Sequence, residues 1–154
     1  MKARAIVLTV VLCLVAGTLC FASDANIGSW KLNEAKSKFA AGSSKNITVV
    51  YEAVGDTVKV TVDGTDGAGK PTHNEWTGKY DGKDYPVTGD PTSDERSLKT
   101  VDDHTLVLTV QKDDKVTVSG RIVISADGKT RTVTTSATDS KGKKVENTAV
   151  YDKQ

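Results

Sequence analysis

Hydrophobic and polar residues alternate along most of the chain from residue 46 onward. Residues 57–62 read Thr-Val-Lys-Val-Thr-Val, and residues 105–110 read Thr-Leu-Val-Leu-Thr-Val. Successive side chains of a β-strand point to opposite faces, so a period of two predicts strands with one buried face. The branched residues Val, Ile and Thr dominate these runs and suit a pleated, half-buried surface.

Turn-forming residues separate the alternating runs at intervals of about ten residues. Asp and Gly tolerate the positive φ that tight hairpins require, and pairs of them occur at residues 55–56, 66–67, 81–82 and 127–128. This punctuation predicts ten strands near residues 27–32, 46–54, 57–63, 72–80, 84–88, 95–101, 104–112, 115–125, 130–138 and 144–152. Every connection after the first is short, so each strand is expected to pair antiparallel with its neighbour in sequence.

A meander of this length has two exposed edges unless it closes on itself. Closure removes both edges, so we expect an all-β, antiparallel up-and-down barrel of eight to ten strands, with an open sandwich as the alternative. The only predicted helix is short and follows the first strand, over residues 33–39. Asn33 is its expected N-cap, and the helix would cover one end of the barrel.

The N-terminal segment has the pattern of a secretory signal peptide. Lys2 and Arg4 precede an apolar run over residues 5–16, and small and apolar residues continue to Ala22. Cleavage is expected after Ala22, with Ala25 as a second choice and an uncleaved membrane anchor as the alternative. The predicted organisation is therefore a signal peptide, residues 1–22, and one barrel domain, residues 23–154, exported to the periplasm or outside the cell.

Cysteine content and charge narrow the function. Both cysteines, Cys13 and Cys20, fall within the predicted signal peptide, so the mature domain would contain no disulfide. Each follows a leucine, whereas a bacterial lipoprotein needs a small residue before its cysteine, so we expect no membrane anchor after cleavage. The 154 residues include 21 Lys and Arg against 20 Asp and Glu without a basic stripe, which argues against nucleic-acid binding.

The inward face of such a barrel predicts a lumen for a small hydrophobic ligand. Val and Thr would form most of the filling, so a partly polar, partly empty lumen is favoured over a filled core. We expect no obligatory charge at its centre. The predicted lumen residues are Val49, Tyr51, Val60, Trp76, Leu106, Leu108, Ile122 and Val133.

Two further residues are predicted to close one end of the barrel. The ring of Trp30 is large enough to cover the base, and its indole N–H needs an acceptor. Arg131 is in phase with Val133, and we expect its guanidinium to stack on Trp30. A structural plug is the preferred interpretation of both, ahead of ligand contact.

The sequence offers little support for catalysis or metal binding. His73 and His104 flank different strands without an orienting partner, so we expect no catalytic residues and no enzyme. Asp63 and Asp66 could offer oxygens to Ca²⁺, but turn formation explains them better. We therefore expect neither a metal site nor a cofactor.

The two ends of the predicted domain resemble the lipocalin and fatty-acid-binding protein families. Gly28–Leu32 reads Gly-Ser-Trp-Lys-Leu, which resembles the Gly-x-Trp signature of lipocalins and the opening of fatty-acid-binding proteins. Residues 150–153, Val-Tyr-Asp-Lys, resemble the closing Tyr-Glu-Lys of the latter family. The resemblance implies a ligand-binding β-barrel. Residues 81–87 are also similar to a string found in small exported bacterial proteins of unknown function.

Departures from these families limit what the resemblance implies. Fatty-acid-binding proteins cover the barrel mouth with two helices, for which residues 33–45 are too few. They bind a ligand carboxylate with an arginine two positions before the closing tyrosine, where this chain has Ala149. A small-ligand carrier is the first functional hypothesis. The alternative is a protein-interaction or inhibitor module that uses the barrel as a rigid scaffold, with residues 23–27 as an arm.

Overall fold

A computed structural model describes residues 25–138 and 142–154, and the predicted signal peptide lies outside the described residues. The described chain forms ten strands and one 3-10 turn, Glu34–Lys36. The strands are β1 Gly28–Leu32, β2 Lys45–Val54, β3 Thr57–Thr65, β4 Pro71–Gly78, β5 Tyr85–Thr88, β6 Glu95–Asp102, β7 Thr105–Lys112, β8 Lys115–Ile124, β9 Thr130–Thr138 and β10 Lys144–Lys153. Each lies within two residues of its prediction.

The strands form a closed barrel in which every strand pairs antiparallel with its neighbours in sequence. The ring closes where β1 pairs with both β2 and β10. On β1, Trp30 lies opposite Val49 on one side and Lys153 on the other. This ring confirms the predicted up-and-down barrel at its upper strand number and excludes the open sandwich.

The alternating strand directions define two ends of the barrel. The connections after β1, β3, β5 and β7, residues 33–44, 66–70, 89–94 and 113–114, lie at what we call the open end. The connections after β2, β4, β6 and β8, residues 55–56, 79–84, 103–104 and 125–129, lie at the closed end. Residues 25–27 lead into β1 at the closed end.

Large aromatic side chains pack the barrel towards the closed end. Trp30 is fully buried, and its indole N–H donates to the carbonyl oxygen of Asn26 at 2.7 Å. Trp76 donates to the carbonyl oxygen of Arg96 at 2.8 Å and packs edge-on against Tyr85. Asn26 is itself buried, so residues 25–27 pack on the barrel, although the interaction hypothesis places an arm there.

The helix after β1 is shorter than residues 33–39. Asn33 caps the 3-10 turn by accepting from the backbone N–H of Lys36 at 3.2 Å, and its amide donates to Asp152 at 2.6 Å. The backbone is extended again at Ser37, and Lys38 pairs with Thr148 of β10. Pairing with β10 therefore ends the helical turn after three residues.

A β-bulge changes which side chains face inward at the start of β8. Between β7 and β8, Val110 pairs with Val118 but Gln111 pairs with Val116, so one extra residue lies on β8. Strict alternation along residues 115–125 would place Val116 on the inward face with Val118, but Val116 is 58% exposed. A bulge reverses the alternation beyond it, which sequence periodicity does not reveal.

Within residues 25–138 and 142–154, no helix is long and apolar enough to cross a membrane.

Candidate functional site

The barrel encloses a cavity of about 250 Å³. Aliphatic side chains form much of its wall, and polar and charged groups lie among them. The lining residues are Ser44, Asn46, Val49, Tyr51, Val60, Val62, Asn74, Asp90, Thr92, Arg96, Leu98, Leu108, Val110, Thr117, Val118, Ile122, Arg131, Val133, Thr135 and Tyr151. They come from eight strands and from the loops at the open end.

A second depression connects this cavity with the open end of the barrel. It has a volume of about 630 Å³ and shares Ser44, Asn46, Thr92 and Thr135, among others, with the inner cavity. The loop residues 39–44 form its outer side. Apolar side chains such as those of Phe39, Val133 and Val145 therefore continue the wall of the lumen towards the opening, with hydroxyl and amide groups among them.

The predicted lumen residues divide into two groups. Those that line the cavity are Val49, Tyr51, Val60, Leu108, Ile122 and Val133. Trp76 and Leu106 are buried in the core but do not line it. The alternation of the strands correctly places all eight residues inside the barrel. It does not show which part of the interior is packed and which part contains the cavity.

The expected stacking of Arg131 on Trp30 is wrong. The guanidinium carbon of Arg131 lies 4.8 Å from the ring centre of Tyr51 and 5.2 Å from that of Tyr151. Strand register explains the difference, because Arg131 lies directly opposite Tyr151 on β10, whereas Trp30 lies opposite Lys153. The Lys153 ammonium occupies the position over the Trp30 ring, 5.1 Å from its centre.

Arg131 lines the cavity and is only 4% exposed. One Nη2 donor bonds the Tyr51 hydroxyl at 2.5 Å. A guanidinium has five N–H donors, one on Nε and two on each terminal nitrogen. Nε and Nη1 have no hydrogen-bond partner among the described residues, which leaves three buried donors unmatched.

Arg96 brings a second guanidinium to the cavity. It donates to the side-chain oxygen of Asn74 at 3.2 Å. Burial lowers the pKa of Arg96, and the positive charge of Arg131 lowers it further, whereas Tyr51 and Asp90 oppose the shift. The expectation of a lumen without charge at its centre is therefore wrong.

Asp90 supplies the one negative charge among the described residues of the lining. Its carboxylate accepts from the backbone N–H and hydroxyl of Thr92, at 2.8 and 2.7 Å, and from the hydroxyl of Ser93 at 2.8 Å. Burial alone would raise the pKa of Asp90, but these hydrogen bonds and the charge of Arg96 lower it overall. Within residues 25–138 and 142–154, two positive groups and one negative group give the lining one excess positive charge.

Tyr151 is the second tyrosine whose ring lies near the Arg131 guanidinium, besides Tyr51. Its hydroxyl donates to the carbonyl oxygen of Asn46 at 3.0 Å. Burial raises the pKa of Tyr151 to about 12, with Arg131 acting in the opposite direction. Tyr151 therefore stays neutral at ordinary pH and leaves the Arg131 charge uncompensated.

Sequence reasoning missed several polar lining residues. Arg96 is in phase with Leu98, and Asn74 is in phase with Trp76, so the period-two pattern could have placed both inside. Asn46 has the outward phase and reaches the cavity because a bulge separates it from Thr48. No periodic signal could have identified Asn46.

The residues considered for catalysis or metal binding lie outside the lumen. His73 is exposed and bonds Asp63 through Nδ1 at 2.7 Å, and His104 is exposed at the turn before β7. Asp66 accepts from the backbone N–H groups of Ala68 and Lys70, as a turn-forming aspartate does. Among the residues described by the structure, no cluster of three or more His, Cys, Asp or Glu side chains could hold a metal ion.

The fold and the cavity together define a closed ten-stranded antiparallel β-barrel with a charged lumen. No protein-family profile matches the chain, and no curated protein matches its sequence. Solved structures that match the chain include a redesigned β-barrel, mFAP1, bound to DFHBI. It has 17% identity and a TM-score of 0.46, covering 86% of this chain and 98% of that chain. Another is EF1p2_mFAP2b bound to DFHBI, with 12% identity and a TM-score of 0.49, covering 86% and 97%.

Proposed function

We propose that this protein binds a small, largely apolar or amphipathic molecule in the lumen of its barrel. The observation that carries the proposal is the cavity of about 250 Å³, which continues to the open end. Well-packed interiors contain few voids larger than a water molecule, so a cavity of this size in a barrel with otherwise buried aliphatic walls favours a ligand. Val49, Val60, Leu98, Leu108 and Ile122 supply the apolar surface that would contact it.

The proposal contains no catalytic step. Binding by burial needs only apolar walls and an entrance, and both are present at the lumen. The two histidines lie on the outer surface, away from the cavity lining. The best-supported role is therefore that of a carrier or a sequestering protein.

A pair of neighbouring substitutions on β7 tests whether binding occurs inside the barrel. Leu108 lines the cavity, whereas Val107 points outward and is partly exposed. Leu108→Trp should fill the lumen and reduce the affinity for the neutral fluorescent probe N-phenyl-1-naphthylamine at least tenfold, while Val107→Trp should leave it unchanged. Equal effects of the two variants would overturn the proposal, as would failure of the unmodified protein to bind both this neutral probe and an anionic counterpart of it.

We also propose that the protein is exported, because residues 1–22 carry the pattern of a signal peptide. The intact mass of the protein recovered from its host tests this proposal. A chain that begins at Ser23 supports export, and a chain that retains its first 22 residues contradicts it.

A further inference from the structure

The lumen contains an unusual polar centre that burial of an apolar ligand does not explain. Arg131 is almost completely buried, yet three of its five N–H donors have no partner among the described residues. A buried guanidinium without sufficient partners is costly, and folded proteins generally satisfy such groups. We therefore expect the missing hydrogen-bond acceptor to belong to a bound molecule.

The surroundings of Arg131 orient it for a ligand. Tyr51 and Tyr151 both pack against the guanidinium, and the Tyr51 hydroxyl holds Nη2 at 2.5 Å. These contacts restrict the rotation of the side chain while Nε and Nη1 remain unbonded. A fixed, planar set of donors is suited to an oxyanion, which can accept two hydrogen bonds from one guanidinium at once.

The charge of the lining limits the charge of the ligand. In the part of the lining that the structure describes, Arg96 and Arg131 are positive, and Asp90, whose carboxylate is already hydrogen-bonded by Thr92 and Ser93, is negative. One negative charge on a ligand would neutralise the remaining excess. A second would be desolvated without a matching cation, which is unfavourable in a buried site.

We propose that the ligand is a compact amphipathic monoanion whose oxyanion group binds Arg131 and whose apolar body lies against the aliphatic wall towards the open end. This inference rests on the proposed function, because it assigns the chemical class of the lumen ligand. The proposed anion-binding site consists of Arg131 of β9, with Tyr51 of β2 and Tyr151 of β10 beside it. It does not use the position two residues before the closing tyrosine, which is Ala149.

Two probes that differ only by a sulfonate separate this inference from the proposed function. 8-Anilinonaphthalene-1-sulfonate is a monoanion, and N-phenyl-1-naphthylamine is the same molecule without the charged group. In fluorescence titrations of the full-length mature protein, we expect the sulfonate to bind at least tenfold more tightly. Naphthalene-1-sulfonate should displace it more effectively than naphthalene-1,5-disulfonate.

Arginine variants locate the preference within the barrel. Arg131→Met keeps a long side chain but removes all five donors, so the two probes should then bind with similar affinity. Arg121→Met is the matched control, because Arg121 is exposed on β8 and faces away from the cavity lining. This control should retain the tenfold preference.

Each outcome has a separate meaning. Failure of both probes to bind the unmodified protein would overturn the proposed function and this inference with it. Equal binding of the two probes to the unmodified protein would overturn only the inference, and this arm needs no variant to fold. A preference for the sulfonate that persists in Arg131→Met would also overturn the assignment to Arg131.

Discussion

At the scale of single residues, Arg131 combines deep burial with an incomplete set of hydrogen bonds. Residues that only support a fold usually have their polar groups satisfied, whereas residues that await a ligand do not. Two tyrosine rings stabilise the guanidinium by cation–π contact, each by about 0.5 to 2 kcal/mol. The effective desolvation penalty for a buried ion is several kcal/mol, so the two effects roughly cancel.

Replacement of Arg131 therefore distinguishes a binding residue from a structural plug. For Arg131→Met, we expect the free energy of unfolding in urea to change by no more than about 1 kcal/mol. Trp30→Ala, which empties a fully buried position, should cost about 3 to 5 kcal/mol in the same assay. A loss of more than about 2 kcal/mol in Arg131→Met would identify Arg131 as a plug.

Because burial raises the pKa of Tyr151, we expect the stability of the folded protein to fall at alkaline pH. Its phenol has a pKa of about 12 in the folded protein against about 10 when unfolded. The folded state therefore holds the phenol proton more tightly than the unfolded state does. The resulting contribution to the free energy of unfolding is complete below pH 10 and is lost as the pH rises towards 12. Two pKa units correspond to about 2 to 3 kcal/mol.

Urea unfolding at pH 9 to 12 measures this effect. Tyr151→Phe should flatten the decline in stability over that range, because Phe has no proton to lose. Tyr85→Phe is the control: Tyr85 is less buried than Tyr151, so its removal should change the slope less. A Tyr151→Phe protein with an unchanged pH slope would contradict the account.

At the scale of secondary-structure elements, the close approach of β4 and β5 depends on one glycine. A Cβ on Gly78 would lie 2.5 Å from Cζ2 of Trp76 and 2.7 Å from ring atoms of Tyr85. Both rings belong to the packed layer towards the closed end, and neither can move without opening that layer. A hydrogen at this position is therefore required for the edge-on contact between the two rings.

Gly78→Ala tests how firmly that layer is packed. Overpacking of this kind typically costs about 1 to 3 kcal/mol, and we expect a loss of unfolding free energy in that range. Thr77→Ala, at the exposed neighbouring position of β4, should change it by less than about 0.5 kcal/mol. If both variants had equal stability, the packed layer would be looser than the contacts indicate.

Bulges mark the limit of what a period of two can predict within an element. The alternation identified all ten strands and the inward phase of residues such as Val60 and Val133, because those strands keep their register. It failed at Val116 and Asn46, where one extra residue in a strand reverses the faces. Bulge positions depend on pairing with the neighbouring strand, which a single run of residues does not encode.

At the scale of the whole molecule, closure of the ring was predictable because each connection after the first is short and an open meander has unpaired edges. The contents of the lumen were less predictable. The sequence alone suggests that Arg131 stacks on Trp30. Its actual partners depend on the register of β9 against β10, which places Arg131 opposite Tyr151. The charge balance of the cavity likewise depends on Asp90, which lies in a loop without periodicity.

The barrel thus has a packed closed end and a hollow open end. Trp30, Trp76, Leu106 and Ile124 belong to the buried core without lining the cavity, so they provide stability independently of a ligand. The cavity-lining residues border empty volume and are available for binding. This division explains how one barrel can be stable and also hold a removable molecule.

Native mass spectrometry of the protein purified from its own host shows whether the lumen holds a ligand. We expect a protein ion that carries one additional small molecule, and dissociation of that complex should release a singly charged anion. Purification of the Leu108→Trp variant from the same host should yield the protein mass alone. A ligand-free mass for the unmodified protein, obtained under conditions that preserve non-covalent complexes, would contradict the claim that this lumen is a binding site.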